Sequence, residues 1–159
     1  KAKTVSVAID EIPATAGIRE SLALPPEEDR VIQIKRVRLL REKSFNFAVN
    51  YLPKEIGSRI IEDDLYKKPL LQILAQDLNI QFTDSYQTIQ ASFADQEVSD
   101  RLNVPPGSPI LYIERIIYTK KNKPVEILHA SYRGDLFKYV VRLKNVRKKN
   151  GNVWVHHGG

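Results

Sequence analysis

Two arginines, Arg36 and Arg38, lie on one face of a strand predicted over Val31–Leu40. Because side chains alternate between the two faces of a strand, that face also carries the aliphatic residues Ile32, Ile34 and Leu40. A charged side chain on a partly covered sheet needs an anionic partner, since burying an unpaired charge is very costly. Three arrangements remain open: an internal carboxylate, an acidic ligand held by charge-assisted bidentate hydrogen bonds, or an exposed face.

A second strand, predicted over Pro124–Arg133, places Glu126 and Tyr132 on a common face. Both could line one pocket. The two residues are six positions apart, which is about 20 Å of straight strand, so a small ligand that touches both requires a bulge or strong curvature. The alternative is a buried Glu126 that neutralises Arg36 or Arg38.

Other site chemistries find little support in the sequence. The chain has no cysteine, which excludes disulfides, thiolate metal sites and thiol nucleophiles. His129 stands alone in a predicted strand and is interpreted as a packed or surface histidine, while His156 and His157 belong to a glycine-ended terminus. The sequence offers no convincing Ser/His/Asp arrangement, glycine-rich phosphate loop or metal-ligand spacing. We therefore expect no catalytic residues, no metal and no cofactor.

The basic charge is concentrated at the C-terminal end. The 159 residues include 25 lysines and arginines against 19 acidic residues, a net charge of +6. Six of the basic residues and none of the acidic ones lie beyond residue 137, so the first 137 residues are neutral. A DNA-binding body usually carries its surplus on one face or helix, so this pattern is weak support for direct DNA binding. No membrane-length segment or signal peptide is present, and the lack of cysteine fits a cytoplasmic location.

Periodicity and turn residues predict an α+β domain with a mostly antiparallel sheet and flanking helices. The predicted helices run from a Thr15 cap to Leu22, from Pro69 to Leu78, and from a capping box at Ser92-Phe-Ala-Asp95 to Leu102. The predicted strands are Thr4–Ala8, Val31–Leu40, Phe45–Leu52, an extended Ile80–Ala91, Ile110–Tyr118, Pro124–Arg133 and Phe137–Leu143. Trp154, between two valines, indicates a short extra strand or a hydrophobic anchor.

An imperfect internal repeat relates the two halves. Leu22-Ala-Leu-Pro-Pro26 leads into a strand containing Ile34-Lys-Arg-Val37, and Leu102-Asn-Val-Pro-Pro106 leads into one containing Ile113-Glu-Arg-Ile116. Each copy continues through a charged turn into another strand. Pro-Pro turns also end helices without any duplication, but the agreement of strand and turn favours one. A duplicated helix–turn–strand–strand unit implies a pseudo-symmetric sheet, with a candidate site where the halves meet.

A series of short motifs gives the chain a family resemblance. The series consists of Val31-Ile-Gln-Ile-Lys-Arg-Val-Arg38, Tyr51-Leu-Pro53, Ile89–Asp95, Leu102-Asn-Val-Pro-Pro-Gly107, Pro109-Ile-Leu-Tyr-Ile-Glu-Arg115, Pro124-Val-Glu126 and Tyr132-Arg-Gly-Asp135. It resembles the UTRA domain, the effector-binding half of GntR/HutC-type bacterial transcription regulators. The resemblance covers roughly Lys3–Leu143 and implies a chorismate-lyase-like fold, a small-molecule effector pocket and dimerisation.

The resemblance also implies a domain arrangement. In this family a winged helix-turn-helix DNA reader precedes the effector domain. The chain begins at Lys1 without an initiator methionine and contains no such reader. We therefore expect an effector-binding domain over residues 1–143, a basic C-terminal tail over residues 144–159, and DNA binding only through the missing winged-helix domain.

Site residues carry over from the family where they match. Arg36 and Arg38 lie on the Arg-x-Arg strand that holds the anionic effector in sugar-phosphate-sensing members. Glu126 and Tyr132 match two further ligand contacts of such members. One position departs, because Ala48 stands where the family usually has an acidic residue before the Tyr-Leu-Pro motif. The resemblance therefore implies a less polar acid rather than a sugar, or no natural ligand.

The leading hypothesis is an effector-sensing repressor domain of the HutC type. It is a homodimer and not an enzyme, and it takes an anionic metabolite on Arg36, Arg38, Glu126 and Tyr132. Two alternatives stand beside it. One is a chorismate-lyase-type enzyme, in which Arg36 and Glu126 supply part of the chemistry. The other is a dimerisation module with a vestigial pocket.

Overall fold

A six-stranded sheet forms the body of the protein. The computed structural model describes residues 1–156. The strands of the sheet are β1 (Lys3–Pro13), β2 (Arg30–Leu40), β3 (Lys43–Pro53), β4 (Asp84–Phe93), β5 (Pro109–Thr119) and β6 (Lys123–Arg133). They follow the order β1-β2-β3-β6-β5-β4, and every neighbouring pair is antiparallel. With helices packed on both faces, this is the α+β class that the sequence predicts.

The strand order agrees with the internal repeat. One strand, a helix and a hairpin make up each half, and the halves meet where β3 pairs with β6. Arg36 pairs with Ala48 in the first half, and Arg115 pairs with Leu128 in the second. Arg36 and Arg115 therefore occupy equivalent positions about a pseudo-twofold axis that is perpendicular to the sheet.

Two helices, α1 (Ala16–Ser21) and α5 (Gln96–Leu102), cover the face of the sheet opposite the arginines. Thr15 caps α1 as predicted, since its hydroxyl accepts a hydrogen bond from the Ile18 N–H at 3.3 Å. The predicted capping box at Ser92 is wrong. Asp95 caps α5 and accepts from the Val98 N–H at 2.9 Å, because Ser92 is still part of β4 and pairs with β5.

A helical segment covers the other face in the first half only. It consists of α2 (Lys54–Gly57), α3 (Glu62–Lys67) and α4 (Leu70–Gln72), and α4 continues as a π-helical turn over Ile73–Asp77. The helix predicted from Pro69 is thus present, with a wider final turn. Apolar side chains of this segment and of the sheet form one buried cluster: Ile32, Ile34, Leu52, Ile60, Leu65, Leu70, Ile73 and Leu74. Gly57 permits the close approach, since a Cβ there would lie 2.4 Å from the Cβ of Ile32.

Some strand bounds differ from the prediction because pairing, rather than local alternation, sets them. β1 continues to Pro13, five residues beyond Ala8, since it stays paired with β2 over that length. The β2–β3 turn lies at Arg41 and Glu42, both of which have positive φ (49° and 63°). This is the left-handed geometry that tight hairpins require, so the turn comes earlier than the predicted Glu42-Lys43-Ser44.

The C-terminal end forms a separate hairpin of β7 (Leu143–Lys148) and β8 (Gly151–His156). The strand predicted over Phe137–Leu143 is wrong, because no strand of the described chain pairs with residues 138–142. The short extra strand indicated by Trp154 is present as β8. The boundary at residue 143 stays a prediction, and residues 157–159 of the predicted tail lie outside the described residues.

Candidate functional site

A cavity of about 610 Å³ lies between the sheet and the helical segment of the first half. Strands β2, β3, β5 and β6 form its floor, and the residues from α3 to α4 form one wall. The floor is low at its centre, where Ala48 and Ala130 pair across the β3–β6 contact. The cavity therefore lies over the junction of the two halves, where the repeat predicted a site.

Three guanidinium groups converge on this cavity. Arg36 and Arg38 come from β2, and Arg115 comes from β5 on the other side of the junction. Alternation along β2 places the first two on one face, and the pseudo-twofold relation brings Arg115 to the same face. Arg115 belongs to the predicted repeat and to the family motifs, but it is not one of the four predicted site residues. The available signal was the repeat, in which Arg115 takes the place of Arg36.

Glu126 lies under the cavity floor and is already paired. Its side chain is 0% exposed, and Oε1 accepts from Arg115 at 3.1 Å and from the Asn50 side-chain amide at 2.7 Å. Glu126 is buried, as the alternative interpretation expects, but its ion pair is with Arg115 rather than with Arg36 or Arg38. Its charge still favours the charged form of Arg36. Asn50 continues the network, since its Oδ1 accepts from Arg36 at 3.1 Å. The sequence carried no signal for Asn50.

One nitrogen of the Arg36 side chain lacks a hydrogen-bond partner. This nitrogen is Nε, which is buried and has no partner within residues 1–156. Burial, and next the charge of Arg38, lower the pKa of Arg36 to about 10. No carboxylate of the described chain forms a salt bridge with Arg36 or Arg38. Of the three arrangements that the sequence left open, an internal ion pair for these two arginines does not occur.

Tyr132 lines the cavity at the end near Arg38, and the rings of Phe45 and Phe137 pack against Tyr132 from outside the cavity lining. The Arg38 guanidinium lies over the ring of Phe45, 5.6 Å from its centroid. Tyr132 lines the cavity and stacks on Phe137 with ring centroids 3.9 Å apart. This end is therefore suited to an apolar or planar group, while the arginines are suited to an anionic one.

The rim adds further positive charge. Lys3, Lys67 and Lys68 line the cavity together with the arginines. Lys68 also pairs with Asp77, which raises the pKa of its ammonium group. Every charged side chain among the cavity-lining residues of the described range is basic. Of the four predicted site residues, Arg36, Arg38 and Tyr132 thus line the cavity, and Glu126 lies behind it.

A smaller cavity of about 310 Å³ lies on the opposite face beside α5. Its acidic residues are already engaged, since Asp95 caps the helix and Glu97 pairs with Lys35 at 2.6 Å. Half-buried His129 lines it, and burial lowers the pKa of that imidazole. His129 is therefore a packed histidine with a neutral ring at pH 7, as the sequence suggested.

Residues 1–156 contain neither a membrane-spanning helix nor a cluster of metal-ligating side chains. None of the helices there has the length and apolar character needed to cross a membrane. Histidine and acidic side chains of the same range form no group of three that could hold a metal ion.

Comparison with known families decides what kind of domain holds this cavity. The profile of the UTRA domain family matches residues 1–138, most of the chain. The protein belongs to the UTRA family.

Individual relatives of this UTRA domain are regulators of transcription. The HTH-type transcriptional regulator Rv0792c of Mycobacterium tuberculosis is 24% identical over 142 residues, which are 87% of this chain and 51% of that protein. The HTH-type transcriptional regulator YurK of Bacillus subtilis is 25% identical over 116 residues, 73% of this chain and 48% of that protein. The UTRA domain thus spans about half the length of these curated relatives.

Solved structures confirm the predicted fold. The ligand-binding domain of a GntR-family transcriptional regulator from Bordetella bronchiseptica superposes with a TM-score of 0.78 at 23% identity, covering 91% of this chain and 90% of that one. The chorismate-lyase-like α+β architecture of GntR effector domains is therefore the architecture of this chain.

Proposed function

We propose that this UTRA domain is the sensor of a HutC-type transcription repressor and binds a small anionic metabolite. The observation that carries the proposal is the convergence of Arg36, Arg38 and Arg115 on one cavity, in which Arg115 alone is paired with a buried carboxylate, Glu126. Two of the three guanidinium groups have no internal counter-ion in the described chain. An anion with charge-assisted hydrogen bonds to Arg36 and Arg38 would supply the missing counter-ion.

The ligand class follows from the lining of the cavity. Glu126 accepts from Arg115 and Asn50, so its oxygens are engaged, and Ala48 offers no polar group where related domains have an acidic residue. Few acceptors are then left for sugar hydroxyl groups. The stacked rings of Tyr132 and Phe137 favour a planar or apolar body. The proposed effector is an aromatic or otherwise weakly polar acid, whose charge lies on the arginines and whose body lies near Tyr132.

Binding would act on DNA indirectly. The proposed regulator is a cytoplasmic homodimer that contacts its operator through attached winged-helix domains, in keeping with the regulator relatives. The ligand must bind one arrangement of the dimer better than the other for the signal to pass.

The enzyme alternative makes a stricter demand on the site. A chorismate-lyase-type reaction needs a carboxylate that is free to move a proton. The one carboxylate beside the arginines is held by Arg115 and Asn50. Turnover of added chorismate by the purified chain would support that alternative against the sensor.

The test is a thermal-shift screen of aromatic acids, dicarboxylates, sugar phosphates and inorganic phosphate. At a hundredfold excess over Kd, a ligand of the native state adds about 2.7 kcal/mol of stability. We expect an aromatic or dicarboxylic acid to raise the midpoint of the wild type and not that of Arg38→Ala. Arg59→Ala is the matched control, because Arg59 is exposed and lies away from the cavity. A flat screen, or a hit that persists in Arg38→Ala, would contradict the proposal.

A further inference from the structure

The hairpin of β7 and β8 forms an ordered ribbon from a segment that the sequence predicts as a basic tail. Its two six-residue strands pair along their whole length and pack mainly against each other. The ribbon lies beyond residue 138, where the match to the UTRA family ends. It is therefore a feature of this chain that the family match does not account for.

The basic residues at this end of the chain have no acidic partners. Six of them follow residue 137, and all six are exposed: Lys138, Arg142, Lys144, Arg147, Lys148 and Lys149. None of the six forms a salt bridge within residues 1–156. Arg147, Lys148 and Lys149 are consecutive at the tip of the ribbon, where the chain turns back at Gly151. Adjacent cations without internal counter-ions make this tip a binding surface for a polyanion.

The two faces of the ribbon differ in burial and composition. Val146 and Val155 lie on one face, and both are half-buried. Near the tip, the opposite face carries only exposed side chains: Asn145, Arg147, Asn152 and Trp154. Three of these four donate hydrogen bonds through an amide or guanidinium group, as contacts to phosphate and sugar do. A membrane-binding face would instead present a continuous apolar surface.

We propose that this ribbon binds the phosphate backbone of duplex DNA, as a second contact beside the winged-helix domain of the proposed regulator. Strands of six residues are about 20 Å long, and the major groove of B-DNA, about 12 Å wide, admits a two-stranded ribbon. The tip cations then reach phosphates at the edge of the groove. Phosphate contacts do not depend on base sequence, so the ribbon adds affinity and leaves the choice of operator to the winged-helix domain.

The inference rests on the proposed function only in the choice of DNA as the polyanion. No residue of the ribbon lines the large cavity. A flat screen of small anions would therefore contradict the sensor and leave the ribbon untouched. Failure of the DNA titration described next would overturn the ribbon contact and leave the sensor in place. The expectation that DNA is bound only through a winged-helix domain changes with this proposal.

The first test measures binding of the 159-residue chain to a labelled duplex of about 20 base pairs by fluorescence anisotropy, between about 50 and 200 mM salt. Each phosphate contact contributes about −0.9 to the slope of log K against log salt, so the three tip cations give about −2.7. We expect the double variant Lys148→Gln/Lys149→Gln to bind more weakly and to lose about 1.8 of that slope. Circular dichroism establishes that each variant is folded.

The matched control removes the same charge from another hairpin. Lys120→Gln/Lys121→Gln neutralises two exposed lysines of the β5–β6 turn, and Asp84 begins the neighbouring strand at that end of the sheet. This variant should keep the affinity and the slope of the wild type. Equal losses in the two double variants would assign the binding to net charge and overturn the proposal. A wild type that does not bind the duplex at the lowest salt would overturn it as well.

The second test uses Trp154, the one tryptophan of the chain, as a reporter on the ribbon itself. Its side chain is 65% exposed, so its emission responds to whatever covers the ribbon. We expect the duplex to quench this emission saturably, with the affinity found by anisotropy. Vesicles of phosphatidylcholine and phosphatidylglycerol should leave the emission unshifted at the same salt. A blue shift with vesicles and no change with DNA would make a membrane surface the partner, and DNA binding without any change at Trp154 would place the DNA elsewhere; either result contradicts the proposal.

Discussion

Replacing Arg36 with methionine should leave the free protein at least as stable as the wild type. At pH 7 the Arg36 guanidinium is charged. Its burial, and next the charge of Arg38, lower its pKa to about 10. This lowering corresponds to about 3 kcal/mol of penalty on the charged form in the folded state. Because the folded pKa lies below the unfolded one, the penalty is complete below pH 10 and decreases as the pH rises above it.

The substitution removes that penalty but also breaks a hydrogen bond to Asn50. Asn50 Oδ1 loses the hydrogen bond from Arg36, which costs about 1–3 kcal/mol for a buried acceptor. The net change in the free energy of unfolding is then between zero and a gain of about 2 kcal/mol. An ordinary substitution of a buried, hydrogen-bonded side chain would instead destabilise by about 1–3 kcal/mol.

Urea unfolding with and without the best anion from the screen provides the assay. The wild type should gain stability from the anion and Arg36→Met should gain none. The substitution removes the buried Nε that has no hydrogen-bond partner within residues 1–156 and that the anion would bind. Arg59→Met, at an exposed site away from the cavity, should respond like the wild type. A loss of more than about 1 kcal/mol in the free Arg36→Met protein, or anion stabilisation equal to that of the wild type, would refute the reasoning.

Three further outcomes follow from single contacts. Glu126→Gln leaves the partly buried Arg115 without its counter-ion, so urea unfolding should show a loss of about 3–5 kcal/mol and a larger rescue by sulfate than in the wild type. Equal rescue would argue against this charge argument. Gly57→Ala should lose about 1–3 kcal/mol through the clash with Ile32, while Gly17→Ala, with nothing within 4 Å, should gain up to about 1 kcal/mol. Burial lowers the pKa of His129 below 6.5, so stability should fall as the pH drops through 6.5, and His129→Gln should show a weaker fall in a pH series of melting points.

Much of the fold could be predicted from sequence because strand alternation and turn residues indicate it locally. Alternation located β2 and placed Arg36 and Arg38 on one face, and the Pro-Pro repeat located the junction of the halves. Local patterns failed where pairing decides. Phe137–Leu143 alternates like a strand but has no partner strand within the described chain, and Ser92 resembles a cap but is held in β4.

The site was predictable only in part. The family motifs pointed to Arg36, Arg38 and Tyr132, which line the cavity. The pairing of Glu126 with Arg115 depends on which strands become neighbours, and the sequence alone does not order β6 beside β5 and β3. Once that order is known, Glu126 is within reach of Arg115, with which it forms a buried ion pair.

The most direct test of the anion-binding claim observes the arginine side chains themselves. In a 15N-labelled sample, the Nε–H resonance of Arg36 reports on a buried donor without a partner, and added anion would give it one. We expect saturable shifts of the Arg36 and Arg38 Nε–H signals with inorganic phosphate or the best acid, and an unmoved Arg59 signal. Saturable binding that leaves both cavity signals unchanged would contradict the account.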